Sequence, residues 1–295
     1  MVGAGWAQEE NYMARILIVG AGDIGGHLAQ MLVAAGHQVW GMRRSDKPLG
    51  EGIELLRADV ANAETLPELP PDLDIMVYSV ASPVFSKEGY HEYYYKGLRN
   101  ILKALKGQPL KRAFFVSSSS VYHQMEGEWV DESSATLPAS FAGKEMLAAE
   151  QALLKDKIPG TVVRFTGIYG PGRTRMIEQA RQGGYCDPEP PVWTNRIHRD
   201  DCVGVLQLLT EKALAGEALD DIYLATDDEP ATLFEVLEWM KDRIGDVEPD
   251  HDMPEATRRA NRRCSNKRLH ELGYRFKYPD YREGYDHLLA EMGLI

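Results

Sequence analysis

Two stretches of this chain hold residue types at spacings that can do chemistry. The first is Gly20-Ala21-Gly22-Asp23-Ile24-Gly25, a GxGxxG directly after the apolar run RILIV and before an amphipathic stretch. Glycines so spaced allow a tight turn and let a pyrophosphate approach the amides of a helix N-terminus. Gly3 and Gly5 have no strand before them and read as a decoy. The second stretch is FFVSSSSVY (114–122), followed by PASFAGKEMLAAE (138–150). Ser118 and Tyr122 carry hydroxyls that can orient an oxygen or move a proton, and His123 beside them adds an imidazole. Lys144 invites a catalytic reading, but the residue four before it is Ser140, not a tyrosine.

The end of the second apolar run decides between cofactors. A carboxylate there would accept a ribose 2′-hydroxyl. Arg43 and Arg44 stand there instead, and two guanidinium groups suit a 2′-phosphate. NADP(H) is therefore expected in preference to NAD(H). Asp59 and Val60 close the third run, where such folds bring an aspartate beside the adenine, and Val80 and Ala81 follow the fourth, where backbone would face the cofactor. No His/Cys spacing suggests a metal.

The elements that position these residues alternate between short apolar strands and longer helical patterns. RILIVG (15–20), HQVWGM (37–42), IELLRADV (53–60), DIMVYSV (74–80), RAFFVSS (112–118), TVVRFTGIYG (161–170) and IYLAT (222–226) read as strands. Helices are expected over 25–35, 90–106, 141–155 and 200–213. Strands separated by helices of this length need crossovers, so the fold class is α/β, a Rossmann-type doubly wound parallel sheet. Gly, Pro and charge become denser after residue 170. The expected organisation is a loose tail over 1–13 with Met13 a candidate start, and a dinucleotide-binding core over 14–170 completed by 200–226. A smaller C-terminal substrate-binding lobe then comes from 171–199 and 227–295.

The bulk properties exclude several partners. No apolar run approaches the ~18 residues of a membrane span. A formal charge of −12 disfavours nucleic acid and anionic membrane surfaces. Cys186, Cys202 and Cys264 are dispersed and odd in number, as expected of reduced thiols in a cytoplasmic protein.

Five motifs in order, VGAGDIGG (19–26), FFVSSSSVY, RFTGIYGPGR (164–173), NRIHRDD (195–201) and RRCSNKRLHELGYRFKYPDYREGY (262–285), resemble the short-chain dehydrogenase/reductase superfamily. The likeness covers nearly all of residues 14–290. It is greatest to the extended and atypical branches, the NAD-dependent epimerase/dehydratases and the nucleoside-diphosphate-sugar epimerases among them.

The resemblance implies a proton relay of Tyr and Lys, a Ser or Thr on the substrate oxygen, and a supporting Asn. Counting back four from Tyr122 gives Ser118, which is present. The Asn position, three before Gly97, holds Tyr94. Matching Gly143 and Ala149-Glu150 to the family pattern puts Ala142 at the tyrosine and Met146 at the lysine. Taking Lys144 instead breaks the Gly and Glu matches and still gives no tyrosine.

Tyr122 is then the leading substitute acid, with His123, Tyr94 and Tyr169 behind it; for each, packing at a helix–sheet seam is the alternative role. Arg164, Arg173, Arg175, Arg196 and His198 surround the second-half motifs and could meet an anionic substrate. His198 with Asp200 and Asp201 equally suits a helix start. Two classes of function stay open. One is an epimerase/dehydratase-like oxidoreductase acting on a sugar nucleotide or small carbonyl compound with a non-standard relay. The other is an inactive NADP(H)-binding sensor. The resemblance also permits a homodimer through helices 90–106 and 141–155.

Overall fold

The computed structural model describes residues 12–245, 247 and 260–295. Gly3, Gly5 and most of the expected tail lie outside the described residues. Tyr12, from the same stretch, donates its hydroxyl to Asp74 at 2.7 Å.

Seven strands form one parallel sheet: β1 (Arg15–Val19), β2 (Gln38–Arg43), β3 (Ile53–Arg57), β4 (Ile75–Tyr78), β5 (Arg112–Ser118), β6 (Gly160–Phe165) and β7 (Ile222–Ala225). Their spatial order is β7-β6-β5-β4-β1-β2-β3. The order reverses between β1 and β4, the crevice where such sheets bind ligands. Central strands covered on both faces read as unbroken apolar runs, which is why RILIV and IMVY show no alternation. Successive side chains still part to opposite faces: Ile16 and Ile18 join one apolar cluster, Leu17 and Val19 the other. The first cluster is closed by α1 (Asp23–Ala34) and α6 (Arg199–Leu214), the second by α3 (Gly97–Ala104) and α4 (Phe141–Leu154).

Two expected elements are divided. The helix over 90–106 opens as a short α2 (Lys87–Tyr90), widens into a π-helical turn over His91–Lys96, and only then becomes α3. The buried Tyr78 reaches into this turn and donates its hydroxyl to the Tyr93 carbonyl at 2.5 Å. A Cβ at Gly97 would stand 2.5 Å from that hydroxyl, so only glycine fits there. A side chain inserted into the helical ladder widens it locally. The expected strand 161–170 likewise leaves the sheet after Phe165. Gly167–Tyr169 pairs instead with Arg196–His198, parallel, as a separate ladder.

A third apolar cluster gathers Tyr169, Ile177, Val236, Leu237, Tyr281 and Leu288, joining α5 (Arg175–Arg181), α7 (Leu233–Ile244) and α9 (Tyr281–Glu291). Among the described residues no helix is long and apolar enough to cross a membrane, and no group of His, Cys, Asp or Glu is arranged to hold a metal ion. The three cysteines are buried, and none of them forms a disulfide.

The motif NRIHRDD joins α6 to the C-terminal segment. His198 is the N-cap of α6, and its Nδ1 accepts the Asp200 amide at 3.2 Å. Asp201 is buried and accepts the amides of Lys277 and Tyr278 and the hydroxyl of Tyr274, which docks the C-terminal segment onto α6. Burial pushes the His198 imidazole down to about 4. Its folded value lies below its unfolded value, so the stability it contributes is complete above the unfolded range and drains as pH falls toward 4. Between pH 7 and 4.5 this one group should remove roughly 2 kcal/mol. In urea unfolding, His198→Asn keeps a capping side chain and should lose less stability over that interval than the parent. An equal loss in both proteins would contradict this assignment.

Candidate functional site

The carboxyl ends of the central strands open onto a cavity of about 460 Å³. Gly20, Gly22, Asp23, Ile24, Arg43, Arg44, Asp59, Val60, Val80, Ala81 and Ser118 all line it, so the structure brings together the residues expected at the cofactor, Gly25 apart, with Ser118. Gly25 lies just beneath. A Cβ there would stand 2.4 Å from the Gly20 carbonyl, and one at Gly20, where φ is +91°, would stand 2.5 Å from the Ser79 carbonyl. Both glycines are required by close backbone approach. At Gly22 nothing lies within 4 Å of an added Cβ, and no side chain caps α1. The loop therefore presents a helix N-terminus with room in front of it, as a pyrophosphate requires.

At the far end Arg43 donates to the Ala21 carbonyl at 3.5 Å, while its Nε is buried without a partner. A buried guanidinium N–H left unmatched is a donor awaiting an acceptor. Arg44 donates to the Tyr93 hydroxyl at 3.0 Å with its guanidinium 5.2 Å from the ring centre, and Tyr93 donates to Asp59 at 3.2 Å. Tyr93 thus ties the expected phosphate-binding and adenine-side residues into one corner. The sequence placed Tyr93 only within a tyrosine run. An arginine pair in one corner and an uncapped helix N-terminus beside it fit a dinucleotide.

The remaining end is lined by Ser118, Val116, Met146, Ile168, Tyr90 and Tyr94. The Ser118 hydroxyl accepts the Ser120 amide at 3.1 Å and keeps its own proton to give. Met146, at the family's lysine position, puts a thioether where an ammonium would be. Ala142, at the tyrosine position, is buried, and Lys144 is exposed on α4. Tyr94 accepts the Ser82 amide at 3.4 Å, and burial raises its phenol above the usual range. Tyr90 was not among the sequence-derived candidates; its spacing before Tyr94 was the available signal.

Tyr122 does not reach this cavity. It is 2% exposed, donates to the Asp131 carbonyl at 2.7 Å, and accepts from Arg164 at 2.8 Å. Arg164 in turn makes a bidentate pair with Glu150 at 2.9 and 2.6 Å, and Ser117 donates to the same carboxylate at 2.5 Å. Burial drives the Tyr122 phenol up to about 12. A hydroxyl so engaged has no proton to exchange with a substrate, which corrects the expectation that Tyr122 is the substitute acid. His123 is exposed, and Tyr169 is buried against Tyr285 and His198.

The second-half cations are mostly engaged as well. Arg173 reaches across to Asp23 at 2.8 Å, Arg196 is buried over the Tyr281 ring and donates to Thr194, and His198 caps α6. Arg175 is exposed on α5.

Tyr122→Phe should therefore act on stability rather than on the cofactor. Removing both bonds should lower the unfolding free energy by about 1–3 kcal/mol in urea and leave NADPH affinity unchanged. Weakened NADPH binding by a variant that remains folded would contradict the placement of this residue.

Comparison with known proteins agrees with this geometry. Residues 20–203 match the family model described as NAD(P)H-binding. A solved structure of a Methylobacillus flagellatus protein, named for an NAD-dependent epimerase/dehydratase, is 40% identical with a TM-score of 0.80 and covers 96% of this chain and 100% of that one. Protein YeeZ of Escherichia coli (strain K12) is 26% identical over 282 residues, 91% of this chain and 97% of its own length. The Thermotoga maritima UDP-glucose 4-epimerase, solved with UDP-glucose, shares the fold at 17% identity, with a TM-score of 0.75 over 92% of this chain and 96% of that one. With a family-model match over more than half its length and 40% identity along 96% of the chain to the Methylobacillus flagellatus structure, the chain belongs to the NAD(P)H-binding family, in the extended branch of the short-chain dehydrogenase/reductases that includes the epimerases and dehydratases.

Proposed function

We propose that this protein is an NADP(H)-dependent oxidoreductase of the epimerase/dehydratase type, acting on a sugar nucleotide or a small carbonyl compound with a displaced proton donor. One observation carries the reading: a single cavity is lined by Arg43 and Arg44 at one end and by Ser118 and Tyr94 at the other. Arg43 and Arg44 would clasp the 2′-phosphate, the Gly20–Gly25 loop would face the pyrophosphate, Asp59 and Val60 would flank the adenine, and the backbone at Val80 and Ala81 would border the nicotinamide ribose. The bound nicotinamide supplies or accepts the hydride.

Ser118 donates a hydrogen bond to the substrate oxygen and fixes its distance from the cofactor. Tyr94, at the family's asparagine position, gives that oxygen its proton, so hydride and proton together turn a carbonyl into an alcohol. With no lysine beside it, and burial raising its pKa, this phenol favours its protonated form. A phenol held protonated has its proton in place when a carbonyl is reduced. The UDP-glucose bound by the Thermotoga maritima enzyme supports a sugar nucleotide as one candidate substrate. A second reading, NADP(H) binding without turnover, is favoured by Met146, which lines the cavity at the relay position.

The test is NADPH oxidation, followed by absorbance, across ketones, aldehydes and sugar nucleotides. Oxidation with at least one of them is expected, and Tyr94→Phe or Ser118→Ala should each slow it by on the order of 10²-fold. Tight NADPH binding with no oxidation of any substrate would overturn turnover in favour of the second reading.

A further inference from the structure

Four aromatic rings form one continuous set at the reacting end of the cavity. Tyr90 and Tyr94 line it, with ring centres 4.9 Å apart. Tyr90 meets both Phe85 and Phe141 edge-on at 5.6 Å, and Phe85 lies 5.1 Å from Phe141. Phe85 comes from the loop after β4 and Phe141 from the first residue of α4, directly before Ala142. Tyr90 and Tyr94 thus share the cavity with Ser118, and Phe85 and Phe141 continue the aromatic set outward from Tyr90. They are not a closed packing seam, because Phe85 is 70% exposed and its neighbour Val84 55%. Exposed apolar side chains grouped at a cavity mouth mark a surface for an apolar ligand.

The cations point the same way. A nucleotide diphosphate requires guanidinium or ammonium groups with free donors. The cationic residues lining the cavity are Arg43, Arg44 and Arg173. The first two belong to the far end, and Arg173 is paired with Asp23 beside the glycine loop. Arg164 is held by Glu150, and Arg262 donates to the carbonyls of Ser119 and Tyr122. Among the described residues, the aromatic end is therefore lined by rings, aliphatic groups and hydroxyls.

We propose that the substrate is a ketone or aldehyde whose non-reacting part is a flat apolar group, such as an aryl ring, seated against Phe85, Tyr90 and Phe141, and that it is not a sugar nucleotide. This rests on the oxidoreductase reading above and narrows its substrate class. The wall takes the ring, Ser118 takes the carbonyl oxygen, and Tyr94 stands between them.

The experiment is a ligand-observed NMR titration with acetophenone, acetone and UDP-glucose, each with and without saturating NADP+. Acetophenone should bind at least about tenfold more tightly than acetone. Phe141→Ala and Phe85→Ala should each weaken acetophenone binding several-fold while leaving NADP+ affinity unchanged. Phe85 is exposed, so its variant stays informative even if Phe141→Ala is unstable. UDP-glucose binding more tightly than acetophenone, or wild-type affinity for acetophenone in the Phe85 variant, would overturn the proposal. Loss of NADP+ binding by the unmodified protein would overturn the oxidoreductase reading, and the arms without cofactor would still judge the aromatic wall.

Discussion

A single buried carboxylate fixes the side of the sheet on which the chemistry would occur. Glu150, 1% exposed, accepts from Arg164 on β6 and from Ser117 on β5, and Arg164 passes the connection on to Tyr122. Arg262 extends it through the carbonyls of Ser119 and Tyr122 to the strand Arg262–Cys264. Removing one partner of such a pair leaves an uncompensated charge in a dry interior and costs about 3–5 kcal/mol. The position of α4 against β5 and β6 therefore does not depend on any catalytic residue. Gly143 completes the contact, since a Cβ there would stand 2.3 Å from the Ser120 carbonyl.

That division explains how PASFAGKEMLAAE can keep the family's helix without the family's relay. Gly143 and Glu150, the two matches to the pattern, are structural: one permits close approach and the other holds the ion pair. Positions 142 and 146 lie between them and are free to change without moving the helix. Ala142 and Met146 make the reacting end more apolar, in keeping with the aromatic rings across it. The proposed acid, Tyr94, sits on the segment distorted by Tyr78, so the π-helical turn also bears on where that phenol points.

Local pattern carried the fold well. Buried parallel strands are apolar runs, and the glycine loop follows the first of them, so the parallel sheet and its glycine loop were both implied by spacing. What sequence reading missed depends on contacts between distant residues. Nothing near position 93 announces that Tyr78 enters the helix, and Thr166 carries no mark that the strand ends beside it. Tyr122 was misread because it closely follows the fifth strand, from which a side chain can point into the cofactor cleft. A contrary signal was present: Arg164 in the middle of an apolar strand and Glu150 on an apolar helix face each need a buried partner, and together they imply a pair with room for a phenol. The link from Arg44 through Tyr93 to Asp59 spans three elements and no single window contains it.

The chain is acidic overall, at −12, yet it sets two arginines at one end of its principal cleft. Arg43 keeps a buried N–H without an acceptor, an arrangement that costs stability unless an anion completes it. The account therefore stands on the identity of that anion. Equilibrium fluorescence titration of the unmodified protein with NADPH and with NADH is the direct measurement. NADPH should bind at least about tenfold more tightly than NADH, through charge-assisted bonds to the 2′-phosphate; equal binding, or tighter binding of NADH, would rule out a phosphate-binding role for Arg43 and Arg44.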